Sequence, residues 1–123
     1  MKKKLIVFLI LVAFITGCGS SSAKTEEHKV ISLEEAKEML NTKNNVYLID
    51  VRTMDEYNTN HIEGAINISS NELDKIASED IKKDDYIIVY CLSGGRSKES
   101  YNKLKEMGYT NVYDFGSINN WVD

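Results

Sequence analysis

Apolar positions along the chain switch between two spacings. Leu33, Ala36, Met39 and Leu40 recur at helical intervals. They follow Ser32-Leu33-Glu34-Glu35, where a hydroxyl and a carboxylate three residues apart give a capping-box signature. Residues 46–49 are a short β-rich run ending at Asp50, and residues 65–68 are a second. Leu73, Ile76 and Ala77 fall on one side of a helix predicted over 70–77. Residues 86–90 are almost continuously apolar, as in a parallel strand buried on both faces. A helix predicted over 96–107 turns Tyr101 and Leu104 inward and stops at Gly108; residues 112–115 form a last strand. Strands and helices in turn predict an α/β domain, its mainly parallel central sheet flanked by helices on both faces. Ligands of such sheets bind beyond the carboxyl ends of the strands, which directs attention to the residues after Ile49 and after Tyr90.

The first eighteen residues follow another pattern. Lys2, Lys3 and Lys4 precede an unbroken apolar run over residues 5–15. As a helix at about 1.5 Å per residue this run reaches only ~16 Å, short of a ~30 Å hydrocarbon core. A cleaved export signal over residues 1–17 fits better than a membrane span. Ile15-Thr16-Gly17-Cys18 resembles the lipobox of bacterial lipoproteins. The resemblance implies that Cys18 is diacylated through its sulfur and becomes the mature N-terminus, with residues 18–28 as a tether and 29–123 as the domain. An ordinary secretory signal cleaved elsewhere, or a short uncleaved anchor, are the alternatives. Two acyl chains meet the requirement for stable anchoring, so an extracytoplasmic, membrane-attached protein is expected. Processing would leave 123 − 17 = 106 residues, a formal charge of (15 − 3) − 19 = −7, and Cys91 as the one free thiol.

Composition narrows the function classes. With 42% hydrophobic residues the chain can bury a core, and two cysteines are too few for a disulfide scaffold. A net charge of −4 leaves no excess of Lys and Arg to meet phosphates, so no nucleic-acid partner is expected. The only histidines, His28 and His61, lie outside any zinc-binding spacing, and neither metal nor cofactor is expected. The sequence does not fix the oligomeric state, and a monomer is the expectation. Glu79-Asp80 and Asp84-Asp85 fall in connections and read as solvated faces.

One segment carries chemistry. Cys91-Leu92-Ser93-Gly94-Gly95-Arg96-Ser97 lies between the most apolar strand and a helix. Glycines in such a turn let backbone N–H groups converge, and the helix dipole favours negative charge there. The same setting favours a thiolate at Cys91, and Arg96 adds a fixed positive charge. Without the glycines and the arginine, Cys91 would read as a buried, inert cysteine at a strand end. The chain has two arginines, Arg52 and Arg96, and both lie in candidate motifs.

The loop resembles the active-site loop of rhodanese-like sulfurtransferases, Cys-x-x-Gly-x-Arg-Ser after a central strand. Other landmarks agree in order: Ile49-Asp50-Val51-Arg52 with Glu56-Tyr57, the segment His61-Ile62-Glu63-Gly64-Ala65-Ile66-Asn67-Ile68, Gly108-Tyr109, and the stretch from Gly116 to Trp121. Together they cover residues 29–123. Asn60, Ser69 and Ser117 depart from the Gly, Pro and Gly common at those places, which questions local turn geometry more than chemistry.

The resemblance implies that the Cys91 thiolate attacks the outer sulfur of an anionic donor such as thiosulfate. A Cys91 persulfide would form, and cyanide or a thiol would remove its sulfur, a two-stage covalent reaction. Leu92, Ser93, Gly94, Gly95, Arg96 and Ser97 would bind substrate, with Ser97 either donating a hydrogen bond or capping the helix. Asp50 and Arg52 would brace the loop, or Arg52 would form a local ion pair with Glu56. His61 reads as a structural hydrogen-bonder and Trp121 as a core or rim aromatic. Phosphatases and arsenate reductases place five residues between Cys and Arg, whereas Leu92, Ser93, Gly94 and Gly95 make four. A lipid-tethered binding module without activity, or a persulfide or thiol-redox carrier serving a partner protein, are the other readings.

Overall fold

The computed structural model describes residues 27–123; the expected export signal, Cys18 and most of the tether lie outside the described residues. Helix α1 (Leu33–Thr42) starts with the full capping box: Ser32 Oγ accepts from Glu35 N–H while Glu35 accepts from Ser32 N–H. Strand β1 (Val46–Asp50), helix α2 (Met54–Thr59) and the two-residue strand β2 (Ile66–Asn67) follow. Then come a 3₁₀ segment (Ser70–Glu79), strand β3 (Tyr86–Cys91), helix α3 (Gly95–Glu106), strand β4 (Asn111–Ser117) and a closing 3₁₀ turn (Ile118–Asn120). The four strands form one parallel sheet in the order β2-β1-β3-β4. β3 is central, as its apolarity predicts: Ile87, Ile88, Val89, Tyr90 and Cys91 are all 0% exposed.

Each face of the sheet carries a core. Ile49, Ile87, Val89 and Cys91 pack with Leu73, Ile76, Tyr101 and Leu104, beneath α3 and the 3₁₀ segment. Leu48, Ile88, Tyr90 and Phe115 pack with Ala36 and Met39 of α1, and with Ile62 and Ala65. Strand side chains alternate between faces, so Cys91 lies on the α3 face while Tyr90 points the other way. The parity of the strand therefore aims the sulfur at the N-terminus of α3.

Several boundaries depart from those expected, and β4 runs three residues longer than 112–115. Residues 70–77 are not an α-helix: two 3₁₀ turns meet at Glu72, whose φ −130°, ψ 30° breaks the helical path. The second short run is reduced to Ile66–Asn67 as an edge strand. β3 extends one residue further than its apolar run, so Cys91 is the last strand residue and is fixed by the ladder. α2 has no expected counterpart; Thr53 and Glu56 close a second capping box there.

α3 ends as Gly108 predicts. The N–H of Gly108 donates to the Lys105 carbonyl and that of Tyr109 to Leu104, with Gly108 at φ +102°. This paired arrangement is a Schellman stop, and Leu104 and Tyr109 join the same core. The three departures from the family pattern are equally well housed. Asn60 sits at φ −168°, extended backbone open to any residue. Ser69 occupies φ −59°, as a proline would, and its hydroxyl donates to the Arg52 carbonyl at 2.9 Å. Ser117 lies at φ −93° and accepts from Asn119 N–H, capping the closing turn.

Glu27 and His28, expected to belong to the tether, instead lie against the domain. The Tyr101 hydroxyl donates to the Glu27 carbonyl, and His28 Nε2 sits 2.7 Å from the buried Asp114 carboxylate. Val30 then forms a parallel bridge with Asp114.

Candidate active site

Cys91 ends β3 opposite Ser117 of β4, and a register shift between Val89 and Tyr90 precedes the pairing. The chain then doubles back through Leu92 and Ser93 to Gly94, which stands at φ +101°. A side chain is strained in that conformation, so glycine is required there. Gly95 is different: it is the first residue of α3, and a Cβ built on it meets nothing within 4 Å.

The turn folds its amides onto the sulfur. Cys91 Sγ accepts from Gly94 N–H at 2.9 Å and from Ser97 N–H at 3.3 Å. The Ser97 hydroxyl turns away and donates to the Gly94 carbonyl at 3.1 Å, which ties the first turn of α3 to the loop. Cys91 and Ser97 are fully buried, whereas Leu92 is 42% exposed at the rim. Two directed N–H dipoles and a helix N-terminus around a buried sulfur stabilise negative charge on it.

Arg96 leaves the sulfur's immediate circle. Its Nη1 and Nη2 donate to the two carboxylate oxygens of Glu56, at 2.8 and 3.1 Å. Glu56 is held from behind as well, because Oε1 accepts from Thr53 N–H and from the Thr53 hydroxyl. The Arg96 contact comes first among the causes that pull the Glu56 carboxyl down to about 2, and the same contact raises the Arg96 guanidinium. The expected ion pair between Arg52 and Glu56 is therefore replaced. Glu56, in the first turn of α2, faces the loop rather than its own strand.

Arg52 pairs with Asp50. Its Nε and Nη2 grip the Asp50 carboxylate at 3.0 and 2.8 Å, and Nη2 also donates to the Asn60 carbonyl at 2.6 Å. The Tyr90 hydroxyl donates to the same carboxylate at 2.8 Å and accepts from Ile62 N–H. Burial is the main reason the Tyr90 phenol is pushed well above its ordinary range, so it remains a donor. This network joins the end of β1 to the residue before Cys91 and to the segment that follows α2.

His61 and Trp121 lie further out. The His61 ring stacks on Tyr57 at 3.8 Å between centroids, and its Nδ1–H donates to the Tyr57 carbonyl. Trp121 meets Phe115 edge-on at 5.3 Å. Both line a hollow of about 660 Å³ between residues 60–63 and 118–123, whose walls include none of the loop residues 91–97. Cys91 Sγ and its two amides lie in the loop's own cradle rather than in that hollow. Among the described residues no group of three or more His, Cys, Asp or Glu is placed to hold a metal ion.

Comparisons with known proteins point the same way. A family model described as "Rhodanese-like domain" matches residues 32–123. The thiosulfate sulfurtransferase PspE of Escherichia coli is 41% identical over 71 residues, covering 57% of this chain and 68% of that protein. The thiosulfate sulfurtransferase GlpE of Coxiella burnetii is 34% identical over 95 residues, covering 76% and 87%. A putative sulfur carrier protein of Bacillus subtilis, YrkF, is 33% identical over 96 residues; 78% of this chain matches about half of that protein, 51% of its length. Among solved structures, a rhodanese with anions from E. coli superposes with a TM-score of 0.58 at 38% identity, covering 61% of this chain and 89% of that one.

Proposed function

The chain belongs to the rhodanese-like domain family and is a sulfurtransferase; from that premise we propose that it moves the outer sulfur of a thiosulfate-like donor to cyanide or a thiol through a persulfide on Cys91. The observation that carries the reading is the pair of amides, Gly94 N–H and Ser97 N–H, converging on Cys91 Sγ. A Cys91 thiolate attacks the sulfane sulfur, the S–S bond of thiosulfate breaks, and sulfite leaves with its electron pair. One negative charge remains on the terminal sulfur of the persulfide. Attack on that sulfur by cyanide or a thiolate then returns the thiolate, so the charges balance in both halves. No general base is needed, because neither half-reaction moves a proton from the nucleophile. The amides at Cys91 Sγ are in place before either half-reaction begins and need no reorganisation.

Loop length favours sulfur over phosphate. Four residues separate Cys91 from Arg96, and the cradle closes on a single sulfur atom through amides three and six residues on. Attachment to the outer face of a bacterial membrane through a diacylated Cys18 is the other part of the proposal, supported by Lys2 to Lys4, the apolar run and the Ile15–Cys18 box in order.

Exposing the purified protein to thiosulfate and recording its intact mass tests the chemistry. Gain of one sulfur atom, lost again on adding cyanide and absent in Cys91→Ser, is the expected result. Hydrolysis of aryl phosphates without any gain of sulfur would overturn it.

A further inference from the structure

The loop's one arginine is already occupied. Both terminal nitrogens of Arg96 face Glu56, and the only other arginine in the sequence, Arg52, is committed to Asp50. Glu56 is not a swinging side chain: Thr53 N–H and the Thr53 hydroxyl fix Oε1 as part of the α2 capping box. An anion approaching Cys91 therefore meets a guanidinium whose charge is largely cancelled 2.8 Å away by a carboxylate that stays ionised at neutral pH.

We infer that Glu56 sets the charge preference for the sulfur donor, by competing with anionic donors for Arg96 and favouring donors of low charge over dianions. The inference deepens the sulfurtransferase reading and rests on it for the reaction, though not for anion binding. Glu56 acts here through Arg96 and is a positioning residue. A neutral replacement isolates the effect. Glutamine keeps one acceptor oxygen for the capping box and for Arg96 Nη1, while it removes the charge and the second acceptor that meets Arg96 Nη2.

The test compares wild-type protein, Glu56→Gln and Glu56→Asp with two donors that carry the same sulfane sulfur. One is thiosulfate, a dianion, and the other is methanethiosulfonate, a monoanion. Charges about 6 Å apart in water-like surroundings interact by enough to change affinity roughly threefold per unit charge. In Glu56→Gln, KM at low salt should fall about tenfold for thiosulfate and about threefold for methanethiosulfonate, with kcat little changed. Glu56→Asp, which keeps the charge, should keep the wild-type ratio between the two KM values, and salt near 1 M should erase the change seen in Glu56→Gln. A merely structural role for Glu56 would raise both KM values alike, or lower kcat without sorting donors by charge, and either result overturns the inference. Binding of inorganic sulfate, followed by amide shifts of Gly94 to Ser97, separates the two levels of the argument. Tighter sulfate binding in Glu56→Gln, in a protein that gains sulfur from neither donor, supports the inference and sinks the sulfurtransferase reading. Sulfur transfer with unchanged sulfate affinity does the reverse.

Discussion

Cys91 reaches two amides because of its parity on β3 and because Gly94 turns the chain back at φ +101°. The two glycines of the loop then play unequal parts. Gly94→Ala forces a side chain into a backbone region that adds about 1–3 kcal/mol of strain, and it loosens the N–H that holds the sulfur. Gly95→Ala meets open space at a helical position and should stabilise the fold by roughly 0.4–1 kcal/mol, with sulfur transfer retained. Thermal denaturation with a thiosulfate–cyanide assay on both variants checks the contrast; equal damage from both would contradict it. The cysteine at the strand end, the glycines and the helix that follows were legible from strand, turn and helix signals within a dozen residues. The partner of Arg96 was not. Glu56 lies forty positions away, and only the placement of α2 at the mouth of the loop brings the two together.

Short elements were the hardest to read and prove to be the ones that shape the site. α2 has six residues with none buried, so hydrophobic periodicity is silent there. Its one signal was Thr53-x-x-Glu56, the same capping box that announces α1. Thr53→Ala should lower stability by about 1 kcal/mol through loss of the cap. It also removes the hydroxyl that helps fix Oε1 of Glu56, so the donor KM should change along with the melting temperature. The acid limb of stability belongs to this element as well. The Glu56 carboxyl falls from an ordinary 4.5 to about 2 in the folded protein, chiefly through Arg96. The pair therefore stabilises the fold fully above pH 4.5 and loses that contribution as pH falls toward 2. Glu56→Gln should flatten this part of the stability curve in urea titrations between pH 5 and 2, by a modest amount because the pair is partly solvated. An unchanged slope would mean that the pair does not persist in solution. The 3₁₀ segment escaped the sequence reading for a different reason: Leu73 and Ile76, three residues apart, suit either helix type, and the break at Glu72 leaves no pattern.

The parallel sheet at the scale of the whole molecule was legible from the apolar run of β3 and from the alternation of elements, since the centre of such a sheet must be apolar on both faces. What holds its carboxyl end together is polar. Asp50, Arg52 and Tyr90 form one buried network across β1 and β3. Removing one partner of a buried ion pair leaves the other uncompensated, so Arg52→Ala should destabilise the protein by about 3–5 kcal/mol, read as a shift in the urea midpoint. A loss below about 1 kcal/mol would mean that solvent already reaches the pair. The proposed anchor adds a prediction for the full chain in cells: Cys18→Ala should move the protein from the membrane fraction to the soluble one, and wild-type protein that incorporates no labelled fatty acid would refute lipidation. The central claim is that Cys91 carries sulfur. Its most direct test is the intact mass of the protein after thiosulfate, with the site mapped by fragmentation. One added sulfur atom at Cys91, removable by cyanide, is the predicted result; an unmodified Cys91 under conditions where alkylation shows the thiol to be reachable would contradict it.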